Sequence, residues 1–89
     1  MRKLDMRRDA VKYLAEIDAK QYKQIASKIL SLMINTTPVD YAQLKGFAYY
    51  RVDSGEYRIV YRFDIDKVYI ILIGKRNGDE VYEKLKRLG

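Results

Sequence analysis

The chain of 89 residues contains no cysteine and no histidine, and it has a single proline. The two absences exclude disulfide bonds, a cysteine nucleophile, a histidine-based catalytic triad and the usual zinc sites. No apolar run approaches the roughly 20 residues that a membrane-spanning helix needs, and no apolar signal segment follows the basic N-terminus. We therefore expect a cytoplasmic protein that has no membrane partner.

What the chain does have is an excess of basic charge, with 18 Lys and Arg against 12 Asp and Glu and a net charge of +6. The excess is spread along the sequence rather than gathered in a tail, so the fold must arrange it. A basic small domain attracts polyanions through its summed field. The apolar fraction of 48% and the short length indicate one domain with one core.

Hydrophobic spacing predicts a short strand and then a helical hairpin in the first half. Residues 1–6 alternate weakly, as in a strand, whereas the apolar residues of 8–34 recur at helical spacing. Asp18 followed by Gln21 resembles a capping box, so we expect two helices that divide near Asp18. The apolar stripe predicted for the second helix comprises Tyr22, Ile25, Ala26, Ile29, Leu30 and Met33.

The second half is typical of strands joined by short turns. Strands are predicted at residues 49–53, 57–63 and 68–73, and a short helix at residues 80–88. In the second strand, alternation directs Tyr57, Ile59, Tyr61 and Phe63 toward the core. Consecutive strands with short turns pair antiparallel, so the fold class is α+β, with the hairpin covering one sheet face and the other partly open.

Basic side chains recur on these strands, and neighbouring strands would bring them together. They are Arg51, Arg58, Arg62, Lys75 and Arg76. On the open face they would form a phosphate-binding cluster, because guanidinium groups bind phosphate oxygens bidentately. The alternative is an ordinary solvated surface, with Arg58 or Arg62 paired to Glu56 or Asp64 across a turn.

Four motifs of the second half resemble a known family. They are QLKG at residues 43–46, YRIVY at 57–61, GKR at 74–76 and EVY at 80–82. Over about residues 41–87 the chain resembles the RelE branch of the RelE/ParE toxin superfamily. The resemblance implies a RelE-like microbial RNase-type fold: a short N-terminal strand, a helical hairpin, an antiparallel β-meander and a short C-terminal helix. It also implies a single toxin domain over residues 1–89.

The same resemblance implies the activity and the partners. The expected protein is the toxin of a type II toxin–antitoxin system, a ribosome-dependent endoribonuclease that cleaves mRNA in the A site and so inhibits translation. The 2′-hydroxyl attacks the adjacent phosphate without a metal or other cofactor. The expected partners are a cognate antitoxin, in a hetero-oligomer, and the ribosome with bound mRNA.

The resemblance also assigns roles to individual residues. Arg58 would stabilise the pentacoordinate phosphate, Arg76 would stabilise the transition state or protonate the leaving group, and Tyr82 would stack on the nucleotide. Arg51 completes the catalytic set, and the expected substrate-binding residues are Lys45, Tyr49 and Lys75.

Two positions depart from the family pattern. Tyr49 and Arg51 stand where the family has lysines, and arginine cannot act as a general base. The general base is therefore unassigned. Two other functions stay open: a ParE-like poison of DNA gyrase, which shares the fold, and a catalytically degenerate member that only binds antitoxin or RNA.

Overall fold

A computed structural model describes residues 1–88 of the chain. Its elements are β1 (Lys3–Met6), α1 (Arg8–Glu16), α2 (Ala19–Ile34), β2 (Ala42–Gln43), β3 (Tyr50–Ser54), β4 (Tyr57–Phe63), β5 (Lys67–Lys75) and α3 (Glu80–Leu88). This order confirms the predicted α+β fold of strand, helical hairpin, meander and terminal helix. Across these 88 residues, no helix is long and apolar enough to cross a membrane.

The five strands form one mixed sheet in the order β1-β5-β4-β3-β2. Strands β3, β4 and β5 pair antiparallel, as predicted. The two-residue strand β2, which was not predicted, also pairs antiparallel with β3, whereas β1 joins the edge of β5 in parallel. The parallel pairing stops where Met6 lies opposite Ile70. Beyond that point, the described part of the chain places no further strand beside β5 on this side.

The division of the hairpin at Asp18 is confirmed. The Asp18 side chain accepts a hydrogen bond of 2.9 Å from the backbone N–H of Gln21, which caps the start of α2. The predicted stripe of α2 is wrong in part, because Tyr22 is 49% exposed and Leu30 is 57% exposed.

The stripe that α2 buries consists of Ile25, Ile29 and Leu32. These three residues follow each other at spacings of four and three, which keeps them on one narrow side of the helix. Leu30 therefore falls on the far side, and Tyr22 lies at the margin of the contact with the sheet.

Strand β4 supplies the centre of the core under the hairpin. Ile59 and Tyr61 are 0% exposed, and Tyr57 and Phe63 are half-buried against the same cluster, which confirms the predicted alternation. The Tyr61 hydroxyl donates a 2.6 Å hydrogen bond to the buried carbonyl of Thr36, and burial raises the pKa of Tyr61. This bond ties the sheet to the segment that follows α2.

The opposite sheet face carries a second core that α3 covers. Its buried members are Leu44, Val60, Ile71, Leu72, Val81 and Leu85. The register of β4 and β5 shifts between Val60 and Tyr61, so Ile71 is an extra residue in β5. Because of this bulge, Ile71 and Leu72 both belong to the second core, and with Ile70 and Ile73 in the first core β5 is buried on both faces.

Candidate functional site

Two of the predicted catalytic arginines lie on the same side of the sheet, opposite the helical hairpin. Arg51 of β3 is the cross-strand partner of Val60, and Arg58 precedes Val60 by two residues on β4. Alternate residues of a strand share a face, and Val60 belongs to the second core. We call this side, defined by Arg51, Asp53 and Arg58, the arginine face.

An acidic residue that sequence reasoning missed joins these two arginines. Arg58 Nε donates to Asp53 Oδ1 at 2.9 Å, Arg58 Nη2 lies 3.5 Å from Asp53 Oδ2, and Arg51 Nη1 lies 3.4 Å from Asp53 Oδ2. The Arg58 side chain is 16% exposed and that of Asp53 is 24% exposed. The arginine face therefore carries two positive charges held on one carboxylate.

The register explains why Asp53, rather than Glu56 across the turn, pairs with Arg58. Asp53 and Arg58 lie directly opposite each other in the β3–β4 ladder. Gly55, with a φ of 58°, and Glu56 form the two-residue turn between the strands. Counting outward from that turn gives the pairs Ser54–Tyr57 and Asp53–Arg58, so the sequence did contain the signal.

Arg62 does not join the two other arginines of the strands. Its guanidinium carbon lies 3.8 Å from the centroid of the Tyr69 ring, a cation–π contact. The Tyr69 hydroxyl in turn donates to Asp64 at 2.9 Å. Arg62 is therefore held at the far end of β4, and it offers a control for the arginines of the site.

Arg76 reaches the same end of the sheet through its backbone. Arg58 is opposite Gly74 in the β4–β5 ladder, and the backbone N–H of Arg76 donates to the Glu56 carbonyl at 2.9 Å. The Arg76 side chain is exposed beside the β3–β4 turn. Lys75 is opposite Tyr57, which faces the hairpin, so the structure does not bring Lys75 onto the arginine face.

The remaining predicted residues lie on α3 and in the loop between β2 and β3. The Tyr82 ring on α3 packs against Phe47, with ring centroids 6.3 Å apart. Tyr49 is half-buried against the same core, and its carbonyl accepts the backbone N–H of Leu44 at 2.9 Å. Lys45 is exposed at the tip of the loop that this bond closes. The two tyrosines, one from a loop and one from α3, thus pack on the same sheet face as Arg51 and Arg58.

Helix α3 is fixed to the sheet by Lys84. Lys84 Nζ donates to the Ile73 carbonyl at 3.2 Å, lies 3.2 Å from Glu80 Oε1, and lies 4.2 Å from the centroid of the Tyr13 ring. These contacts place α3 at the edge of β5 that β1 leaves uncovered. Gly74 permits the close approach, because a Cβ at this residue would lie 3.2 Å from Val81 Cγ2.

Glu80 completes this attachment as a carboxylate. Burial opposes its ionisation, but the backbone N–H of Lys75, which donates to Oε2 at 2.8 Å, and the Lys84 ammonium outweigh burial and lower the pKa of Glu80. Lys84 was not among the residues predicted for the site. In the structure it positions the helix that carries Tyr82.

The Tyr13 contact gives a prediction for high pH. Burial, and then the negative charge of Glu80, raise the pKa of Tyr13 from its usual value of 10.0 to about 12. The native state thus favours the neutral phenol, and this stability is present below pH 10 and lost as pH rises toward 12. We expect the free energy of unfolding to fall across this interval, and to fall less in Tyr13→Phe. Urea unfolding at a series of pH values measures the difference, and equal slopes for the two proteins would contradict the assignment.

The arrangement is suited to binding and stabilising negative charge. Arginine remains protonated at all relevant pH values and presents its N–H groups in a planar fork that matches phosphate oxygens. Donors held in place before the reaction stabilise charge that develops in a transition state. Arg51 and Arg58 are held in this way by Asp53, whereas the Arg76 side chain extends into solvent.

Comparisons with known proteins agree with this geometry. A family model described as ParE toxin of type II toxin–antitoxin system, parDE, matches residues 4–80. The isolated RelE toxin of E. coli is 25% identical, with a TM-score of 0.73 and full coverage of both chains. RelE from the RelE–RelB complex of Pyrococcus horikoshii OT3 is 20% identical, with a TM-score of 0.74, over 85% of this chain and 96% of that chain.

A further structure, of an arginine-to-alanine mutant of E. coli RelE in the free state, has a TM-score of 0.77 at 23% identity, over 99% of this chain and 98% of that one. A search of curated proteins finds no match. The family model covers most of the chain, and these two E. coli RelE structures share its fold over 99% and 100% of its length. The chain therefore belongs to the ParE toxin family within the RelE/ParE superfamily, and it is a toxin of a type II toxin–antitoxin system.

Proposed function

We propose that this toxin is a ribosome-dependent endoribonuclease that cuts mRNA in the A site. The observation that carries the proposal is the convergence of Arg51 and Arg58 on one sheet face, with the Arg76 backbone hydrogen-bonded beside the adjoining turn. Cleavage of RNA through its own 2′-hydroxyl needs orientation and charge stabilisation, which such a cluster supplies. The likeness to solved RelE toxins supports the same conclusion.

Each residue has a definite part in the proposed reaction. Arg58 binds the scissile phosphate and, with Arg51, stabilises the negative charge that grows on its oxygens. Arg76 stabilises the transition state from the exposed side, next to the leaving oxygen. Tyr82 stacks on a nucleotide and orients it for in-line attack. Lys45 and Tyr49 contact the substrate along the bordering loop.

The proposed setting follows from the partners that this reaction requires. The toxin acts in the cytoplasm, as one domain, on ribosomes that carry mRNA, and basic charge draws it to ribosomal RNA. A cognate antitoxin holds it inactive in a hetero-oligomer. Complexes of RelE with RelB among the structural relatives support the antitoxin partner.

The test is cleavage of an mRNA paused on ribosomes by the purified toxin, with naked mRNA in parallel. We expect cuts within the A-site codon, only on the ribosome, and upstream fragments that end in a 2′,3′-cyclic phosphate. End mapping by primer extension and treatment of the fragments with a cyclic-phosphate-specific enzyme identify both features. If the folded toxin leaves the ribosome-bound mRNA uncut, the proposal is wrong.

A second candidate is poisoning of DNA gyrase without any cleavage of RNA. Two observations favour it: the matching family model is that of ParE toxins, and Asp53 offsets part of the positive charge of Arg51 and Arg58. Expression of the toxin would then induce the DNA-damage response while cellular mRNA stays whole. Inhibition of supercoiling by purified gyrase distinguishes the two candidates.

A further inference from the structure

We propose that Asp53 is an internal competitor for the RNA phosphate at Arg58, and that it sets the affinity of the site for RNA. The identity of the ligand as RNA rests on the proposed function. The observation is the carboxylate contacted by both arginines, at 2.9 and 3.5 Å from Arg58 and at 3.4 Å from Arg51. A phosphodiester presents two free oxygens, as a carboxylate does, so the two groups compete for the same donors.

The geometry shows which donors are taken. Asp53 occupies Nε and Nη2 of Arg58, which form one edge of the planar guanidinium. A phosphate gains that edge only by displacing the carboxylate. Without displacement it is left with the outer edge, formed by Nη1 and the second N–H of Nη2, beside the negative charge of Asp53. Displacement leaves Asp53 next to a second anion, which costs further free energy through like-charge repulsion.

The position of Asp53 is set by the sheet rather than by chance surface pairing. Asp53 lies opposite Arg58 in the β3–β4 ladder, and Arg51 precedes it by two residues on the same strand face. Val52, between them, is 0% exposed and anchors β3 in the core under the hairpin. The carboxylate is thus held where it contacts both guanidinium groups.

The charge balance gives the functional consequence. Two guanidinium charges and one carboxylate leave a single net positive charge at this point of the arginine face, which weakens its attraction for free RNA. Productive binding then depends on further contacts, such as those of the exposed Arg76 and those that a ribosome provides. Asp53 thereby biases the toxin against naked RNA.

The test is the binding of a short single-stranded RNA to the wild type and to Asp53→Asn, measured at several salt concentrations. Asparagine has the same shape and can still accept from Arg58 Nε, but it carries no charge. We expect about fivefold tighter binding at low salt. The slope of log K against log salt becomes steeper by about 0.7 for one additional phosphate contact.

The matched control is Asp66→Asn, which also removes one negative charge but does so at an exposed turn residue away from the arginine face. It should bind RNA as the wild type does. In Asp53→Asn/Arg58→Ala the gain should disappear, because the released donors belong to Arg58. Asp53→Thr, with a residue suited to strands, replaces Asp53→Asn if the latter does not fold.

Two outcomes overturn the inference. If Asp53→Asn binds RNA no more tightly than Asp66→Asn, Asp53 is an ordinary ion-pair partner of the arginines. If Asp53→Asn binds RNA more weakly than the wild type, Asp53 instead positions the arginines. Both are decided by binding alone. Failure of the wild type to cleave ribosome-bound mRNA removes the proposed function, whereas it leaves this comparison of affinities intact.

Discussion

Under the proposed function, replacing Arg58 by alanine is expected to lower ribosome-dependent cleavage by about 10²–10³-fold, the typical loss when one preorganised charge-stabilising donor is removed. Arg58 is the least exposed member of the arginine face and is held by two contacts to Asp53. Arg58→Lys should restore only a small part of the rate, because an ammonium cannot bind two phosphate oxygens through a planar fork. The measurement is the single-turnover rate on mRNA paused at a defined codon.

The control for this prediction is Arg62→Ala. Arg62 has the same side chain, on the same strand, but it stacks on Tyr69 at the far end of β4. Its removal changes the net charge equally, so any general loss of attraction to ribosomal RNA appears in both variants. Equal rates for the two variants would show that Arg58 contributes only charge and would refute its assigned role.

The second large effect is on stability, at Ile59. This side chain is 0% exposed in the middle of β4, among the residues that the hairpin covers. Ile59→Ala removes buried methyl groups and leaves a cavity, which costs about 2–5 kcal/mol of unfolding free energy. That is a large part of the roughly 5–15 kcal/mol typical of a small domain. Urea unfolding monitored by far-UV circular dichroism measures it.

Ile65→Ala is the matched control, because Ile65 is 87% exposed in the turn between β4 and β5. Its unfolding midpoint should coincide with that of the wild type. A comparable loss in both variants, or a stable Ile59→Ala, would mean that β4 is not the centre of the core.

Local patterns predicted most of the fold, since they depend on neighbours in sequence. The break at Asp18 and the alternation of β4 are of this kind. The parallel pairing of β1 with β5 joins residues 64 positions apart, as Lys3 and Lys67, and no local pattern encodes it. The bulge at Ile71 likewise depends on how two strands meet.

The candidate site was likewise predictable from local patterns only in part. That Arg51 and Arg58 share a face follows from strand alternation and pairing. Predicting the contact of Asp53 with both arginines also requires the register of β3 and β4. Predicting the attachment by Lys84 requires the position of α3 relative to β5. A lysine on a short polar helix is usually solvated. The sequence around Lys84 therefore does not indicate that this residue attaches α3 to β5.

The attachment of α3 has a consequence for self-association. Past Ile70, the apolar run Ile71, Leu72 and Ile73 of β5 has no neighbouring strand on the side of β1 among the described residues, and an unpaired edge of this kind is a template for β-pairing with another chain. Lys84 occupies the Ile73 carbonyl on that edge. The nine residues of α3, which present Tyr82, therefore also shield this edge from pairing with a second chain. We expect that any partner that displaces α3 must itself cover this edge of β5, because the uncovered edge would be a template for aggregation.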